Sequence, residues 1–125
     1  MGFCTAINCM DGRVQLPVIR FLQERWGVEH VDSITEPGPV RIFDKVADLM
    51  TLNSIFKRVN ISVEQHGSRS IAICAHADCT ANRVEDDVQK QQLRRAIIFL
   101  KESFPDVEVI GLWIDADTAV CEMDA

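Results

Sequence analysis

Cys9, Asp11 and Arg13 stand close together near the start of the chain, and His76 and Cys79 are three positions apart in its second half. Each cluster follows an apolar, strand-like run. Two thiolates and an imidazole suit Zn²⁺ and leave a fourth tetrahedral position for water, for substrate or for a nearby carboxylate, of which Asp11 is the obvious one. Catalytic zinc has three protein ligands and an exchangeable fourth, whereas structural zinc is usually closed by four protein ligands. The residue types therefore point to metal-assisted chemistry. Arg13 is permanently charged and can hold the Asp11 carboxylate in a two-pronged hydrogen bond, keeping it ionised as an acceptor. Asp11-Gly12-Arg13 alone would read as a surface turn with an ordinary ion pair; beside Cys9 it reads as part of the site. Asp78, between two ligands, can either orient His76 or stay a solvated loop carboxylate.

The elements that must position these residues alternate in type. Phe3 to Ile7 reads as a buried strand leading into the Cys9 loop. A helix follows, with Pro17 near its start, Val18, Phe21, Leu22 and Trp26 along one face, and Gly27 as its stop. Val28 to Thr35 reads as a second strand, ended by Glu36-Pro37-Gly38-Pro39, which can continue neither a helix nor a central strand. A short helix is expected around Asp44 to Met50, then a long one marked by Ile55, Phe56, Val59 and Val63 and ending before Gly67. Ser70 to Ala75 reads as the third strand, delivering His76 and the loop from Asp78 to Arg83. Val88, Leu93, Ile97, Leu100 and Phe104 mark a third long helix stopped by Pro105, and Val107 to Ile114 is the fourth strand. Thr118 to Met123 can return as an antiparallel C-terminal edge strand through Asp115-Ala116-Asp117.

This alternation implies an α/β fold: a mostly parallel four-stranded sheet with helices on both faces and right-handed crossovers. In such a sheet ligands bind outside the strand C-termini, where successive connections leave in opposite directions. With strand two on one side of strand one and strand three on the other, Cys9 and His76 become neighbours at that point.

At 125 residues the chain is expected to form one domain, residues 1–125. Its net charge of −6 and lack of basic runs exclude a phosphate-binding surface, so nucleic acid is not an expected partner. No apolar run approaches the roughly 20 residues of a membrane span, and Met1-Gly2-Phe3-Cys4 lacks the flank of a signal peptide. No membrane association and a cytoplasmic location are expected. In a reducing compartment the five cysteines are better explained by metal binding or burial than by disulfides. Cys4 and Cys74 lie in apolar segments and read as core, and Cys121 in the acidic tail has no assigned role. His30 and His66 can be read as proton shuttles, but a strand start and a helix C-terminus explain them without the site.

Cys-x-Asp-x-Arg after the first strand, followed by His-x-x-Cys after a later one, resembles the β-class carbonic anhydrases. The likeness runs from Phe3 to the Val107–Ile114 strand. It implies a zinc lyase interconverting carbon dioxide and bicarbonate, with Cys9, His76 and Cys79 as ligands, Asp11 and Arg13 as a dyad beside the metal, and a zinc-bound hydroxide as nucleophile. It also implies a homodimer or higher homo-oligomer, because the family's pocket is commonly completed across a subunit interface. The first strand opens the sequence, so the N-terminal helical arm with which many members clasp a partner is not expected. Two positions depart from the family pattern: Thr80 stands where Gly usually follows the second cysteine, and Glu36-Pro37-Gly38-Pro39 replaces an Arg-Asn-Ala-Gly-like stretch. Two other functions fit the same ligands. One is a zinc hydrolase acting on a sulfur analogue, carbon disulfide or carbonyl sulfide; the other is a noncatalytic zinc-stabilised binding module in which Asp11 closes the coordination. Without a Cys-x-x-Cys pair, a redox role for the cysteines is disfavoured.

Overall fold

The computed structural model describes residues 2–45 and 48–125. Five strands form its sheet, β1 (Phe3–Cys9), β2 (His30–Glu36), β3 (Ser70–His76), β4 (Glu108–Ile114) and β5 (Val120–Met123), in the order β2-β1-β3-β4-β5. The first four are parallel and β5 is antiparallel to β4, which confirms the expected fold class and realises the edge strand. The return is built by Asp115, whose Oδ1 accepts the N–H groups of Asp117 and Ala119 at 2.9 and 3.0 Å.

Among the described residues there are four α-helices, α1 (Gln15–Trp26), α2 (Pro39–Lys45), α3 (Leu49–Asn60) and α4 (Asp86–Ser103). Strand alternation sends side chains to two cores. On one face Ile7, Ile34, Ile71, Ile73, Val109 and Trp113 meet α2, α3 and α4 through Val40, Phe43, Ile55, Val59, Leu93, Ile97 and Leu100. On the other, Cys4, Ala6, Ala72, Cys74, Ile110, Leu112 and Ile114 meet Val18 and Leu22 of α1. Cys4 and Cys74 are thus core residues, as their context predicts, and Cys121 is exposed.

Three elements differ from the sequence reading. α1 begins at Gln15, so Pro17 sits inside its first turn, where it removes no helical hydrogen bond. The short helix expected around Asp44 to Met50 falls across Val46 and Ala47, which lie outside the described residues; among the described ones α2 begins at Pro39 and α3 at Leu49. The expected second long helix ends as α3 at Asn60 and continues as a π-helical turn, Ile61–Gln65. The wider turn brings buried Ser62 against the sheet, where its Oγ bonds to Thr5, Asp32 and Ser68, each at 2.7 Å.

Pairing in the centre of the sheet is uneven. β1 pairs with β2 along its whole length, from Phe3 opposite His30 to Cys9 opposite Glu36, and β3 pairs with β4 from Ser70 to His76. Between β1 and β3 the register covers only Thr5–Ile7 against Ile71–Ile73. Beyond Ile7 and Ile73 the two central strands part, and Cys9 and His76 stand at the ends that separate.

Candidate metal centre

Cys9 ends β1 and His76 ends β3, so the fold brings together two of the residues that the sequence pairs only by type. Asn8 supplies partners on the side where β1 has parted from β3: its Oδ1 accepts the Cys9 N–H at 2.9 Å and its Nδ2 donates to the Val14 carbonyl at 3.1 Å. The third residue, Cys79, arrives on a loop that turns at Asp78, which holds a left-handed φ of 56° that Asp tolerates better than most side chains. One ligand atom from each of Cys9, His76 and Cys79 lies within 4.8 Å of the others, and all three residues are buried. The two sulfurs are 4.0 Å apart.

The geometry leaves a nitrogen of His76 and two sulfurs facing one another. His76 Nδ1 donates to the Ala77 carbonyl at 2.8 Å, which places the ring proton there and leaves the Nε2 lone pair free. Nε2 is buried and meets no partner with hydrogen-bond geometry, an orphan that such an interior rarely leaves unless something else fills the position. Burial pushes the Cys9 thiol up, but the adjacent His76 ring and the N–H groups of Gly38 and Asp11 more than offset it and bring Cys9 to about 7. The Cys9 sulfur in turn raises the His76 imidazole, against the opposing effect of burial. Burial and the nearby Cys9 raise Cys79, since a second thiolate 4.0 Å from the first is disfavoured without a cation between them. Two soft sulfurs and an unpartnered imidazole nitrogen fit Zn²⁺, and a cation among them would relieve the crowding of the thiolates.

Asp11 and Arg13 lie beside this group. Arg13 donates to Asp11 through Nη2 at 2.7 Å and Nε at 3.1 and 3.2 Å, and its main-chain N–H adds a contact of 2.9 Å. The same guanidinium reaches the Asp78 carboxylate at 3.3 Å and carbonyl at 3.2 Å, tying the first loop to the second. These Arg13 bonds hold the Asp11 carboxyl down at about 2. Asp78 therefore does not orient His76; its side chain is 84% exposed and serves Arg13. A crevice of about 100 Å³ lies on the Arg13 and Asp78 side of this group, lined by Arg13, His76, Asp78, Asp115 and Thr118 among others, while Cys9, Asp11 and Cys79 do not line it. His30 and His66 lie at the opposite end of the sheet, flanking the Phe3 ring with centroid separations of 4.8 and 4.4 Å.

A family model described as "Putative carbonic anhydrase" matches residues 1–124. The chain belongs to this carbonic anhydrase family. Its fold is that of β-carbonic anhydrases of known structure. A structure from work on two tetrameric β-carbonic anhydrases of the ascomycete Sordaria macrospora shares 14% identity, with 96% of this chain and 79% of that one covered and a TM-score of 0.67. A carbonic anhydrase from Glaciozyma antarctica shares 18% identity over 94% of this chain and 80% of that one, with a TM-score of 0.58. A β-carbonic anhydrase of Aspergillus fumigatus shares 15% identity over 96% and 74%, with a TM-score of 0.56. No curated protein matches the chain in sequence.

Both departures from the carbonic anhydrase pattern have a physical account. Thr80 is exposed, so a side chain there displaces nothing. Gly38 has a φ of 57°, and its α-carbon faces Asn82 so closely that an added Cβ would lie 3.0 Å from the Asn82 Cβ. The Glu36-to-Pro39 stretch is both a chain breaker and a departure from the family pattern, and the Gly38 N–H is among the groups that lower the Cys9 thiol. Three glutamines and one asparagine at the site also escape a search for ligand types. Gln15 Nε2 donates to the Cys9 carbonyl at 2.6 Å, Gln89 bonds to the His76 main chain, and Gln92 accepts from Asn82 Nδ2 at 2.7 Å. The one signal available was periodicity: apolar Val88 was expected on the inner face of α4, but it is 42% exposed and Gln89 is buried in its stead.

Proposed function

We propose that the chain is a single-domain zinc enzyme, residues 1–125, that hydrates carbon dioxide to bicarbonate. Cys9, His76 and Cys79 are its metal ligands, and Asp11 and Arg13 act beside the metal. The observation that carries this reading is the orphaned His76 Nε2 converging with two cysteine sulfurs in a chain of the carbonic anhydrase family. Zinc held there would supply Lewis acidity, lowering the pKa of water towards neutrality.

The rest of the work falls to the chain. Asp11, held at about 2, stays ionised at neutral pH, so it acts as a fixed hydrogen-bond acceptor and not as the proton-transferring base. Both its oxygens are engaged by Arg13. That favours a fourth coordination position open to solvent over one closed by Asp11, and hence an enzyme over a zinc-stabilised module. Two thiolates offset the formal charge of the ion, so activity is expected to rise from pH 7 to pH 9.

A homo-oligomer is part of this proposal. Met10 is 63% exposed and Leu16 58%, and with exposed Val84 and Val88 they lie at the strand C-terminal end around the site, a rim that a second copy would cover. Five free cysteines fit a reducing, cytoplasmic setting. Among the described residues no helix is long and apolar enough to cross a membrane. The test is stopped-flow carbon dioxide hydration between pH 7 and 9 on protein of measured zinc content, with Cys79→Ser as control. Zinc-dependent turnover that rises with pH and is lost in the variant supports the proposal. Full zinc occupancy without turnover refutes it and returns the sulfur substrate or the binding module.

A further inference from the structure

A residue inside a parallel sheet needs hydrogen-bond partners for its main chain on whichever side its N–H and C=O point. At the end of β3 the Ala77 N–H bonds to Ile114 of β4 at 2.9 Å, so the preceding residue, His76, directs its own N–H and C=O the other way, towards β1. There β1 has already parted from β3. The place of the missing strand is taken by one side chain. Gln89 Oε1 accepts the His76 N–H at 3.3 Å and Gln89 Nε2 donates to the His76 carbonyl at 2.8 Å, and Gln89 is only 2% exposed.

Gln89 is itself fixed by packing, because Leu93, Ala96, Ile97 and Leu100 on the same helix are fully buried. With the backbone held by Gln89 and the ring turned by its bond to the Ala77 carbonyl, the position of His76 Nε2 is determined before any ion arrives. Gln92, one turn on, holds Asn82, whose N–H donates to the Cys79 carbonyl at 3.2 Å. Gln15 holds the Cys9 carbonyl from α1. Every loop that carries a candidate ligand is therefore gripped by an uncharged carboxamide from the helix that follows it.

We propose that Gln89 is a positioning residue that presets His76 for metal binding, within a frame completed by Gln15 and Gln92. The inference rests on the metal-binding half of the proposed function and not on the reaction. Outer partners of ligands are typically worth 10–100-fold in metal affinity. Zinc affinity should be measured by chelator competition on the wild type, Gln89→Met and Gln89→Glu, together with the Co²⁺ visible spectrum and the exchange rate of the His76 amide in metal-free protein. Met keeps the volume and removes both bonds; Glu keeps the acceptor and loses the donor.

The expected result is zinc binding weakened about tenfold to a hundredfold in Gln89→Met, with an altered Co²⁺ spectrum and accelerated His76 amide exchange, and a smaller loss in Gln89→Glu. Wild-type affinity and spectrum in a folded Gln89 variant would overturn the inference and leave carbon dioxide hydration untouched. Wild-type zinc binding without hydration would overturn the reaction and leave the inference standing. If Gln89→Met does not fold, unchanged affinity in Gln89→Glu is sufficient to refute the role. Should the wild type bind no zinc, slow His76 exchange that persists in the variants refutes it as well.

Discussion

Gly38→Ala tests whether the segment after β2 is a built part of the site. The residue has a φ of 57°, and a left-handed conformation costs an L-residue roughly 1–2 kcal/mol. The new methyl would also stand 3.0 Å from the Asn82 Cβ and 3.4 Å from the Ala81 carbonyl carbon. Asn82 is buried and tied to Gln92, so it cannot simply swing away, and forcing a carbon into such a contact adds at least about 1 kcal/mol. The sum is a loss of about 2–4 kcal/mol, a fall in Tm of about 8–16 °C for a chain of this length. Gly12→Ala is the control. Its Cβ would meet nothing within 4 Å, and it should change stability by less than about 0.5 kcal/mol. Urea denaturation of both variants in metal-free form gives the comparison. A second readout is the Cys9 thiol, held at about 7 in part by the Gly38 N–H; displacement of that group should raise it, measured as the pH midpoint of thiolate absorbance. A Gly38→Ala protein as stable as Gly12→Ala, with an unmoved thiol midpoint, would refute the reasoning.

Arg13→Gln should remove the stabilisation of ionised Asp11. Because the folded carboxyl lies at about 2 and the free one at 3.8, that contribution is present above pH 3.8 and is lost as pH falls towards 2. The wild type should therefore exceed the variant at neutral pH, by a small margin since Arg13 is open to water, and the two should converge in acid; a pH-independent difference would contradict this. Gly111→Ala would bring a Cβ to 2.4 Å from Ile97 Cδ1 in the core, and denaturant melts should show a loss of about 1–3 kcal/mol. Thiol labelling of folded, metal-free protein at pH 8 should modify exposed Cys121 first. Cys4, raised to about 12 by burial and the nearby Asp32, and Cys74, raised by burial, should react only at the rate of unfolding; modification of either within minutes in the folded state would contradict this.

The fold was legible because its signals are local. The apolar runs at Phe3, Ser70 and Val107, with the glycine stops and the helical faces between them, determine a parallel sheet almost independently of long-range contacts. The candidate ligands were legible because cysteine and histidine at strand ends are chemically distinctive. Gly38 and Gln89 were not, since their roles depend on what stands opposite them. A glycine between two prolines looks like punctuation until its N–H is found to lower the thiol of a cysteine 29 positions earlier in the sequence. A glutamine beside an apolar valine reads as the solvent side of a helix, and only the gap between β1 and β3 makes it the inward residue.

That gap links the two kinds of information. Parting the central strands makes room for Cys9, His76 and Cys79 to converge at the sheet's C-terminal edge, and the same parting removes main-chain partners from His76. A sheet can open a site there only if something else satisfies His76. Water would meet the hydrogen-bonding need but would not fix a position, and a charged side chain would disturb the balance around two thiolates and an Asp11 already matched by Arg13. A carboxamide supplies one donor and one acceptor and adds no net charge, so Gln89 meets both main-chain groups of His76 where Glu could meet only the N–H. The buried polar residue that breaks the apolar pattern of α4 is thus a consequence of the topology that creates the site.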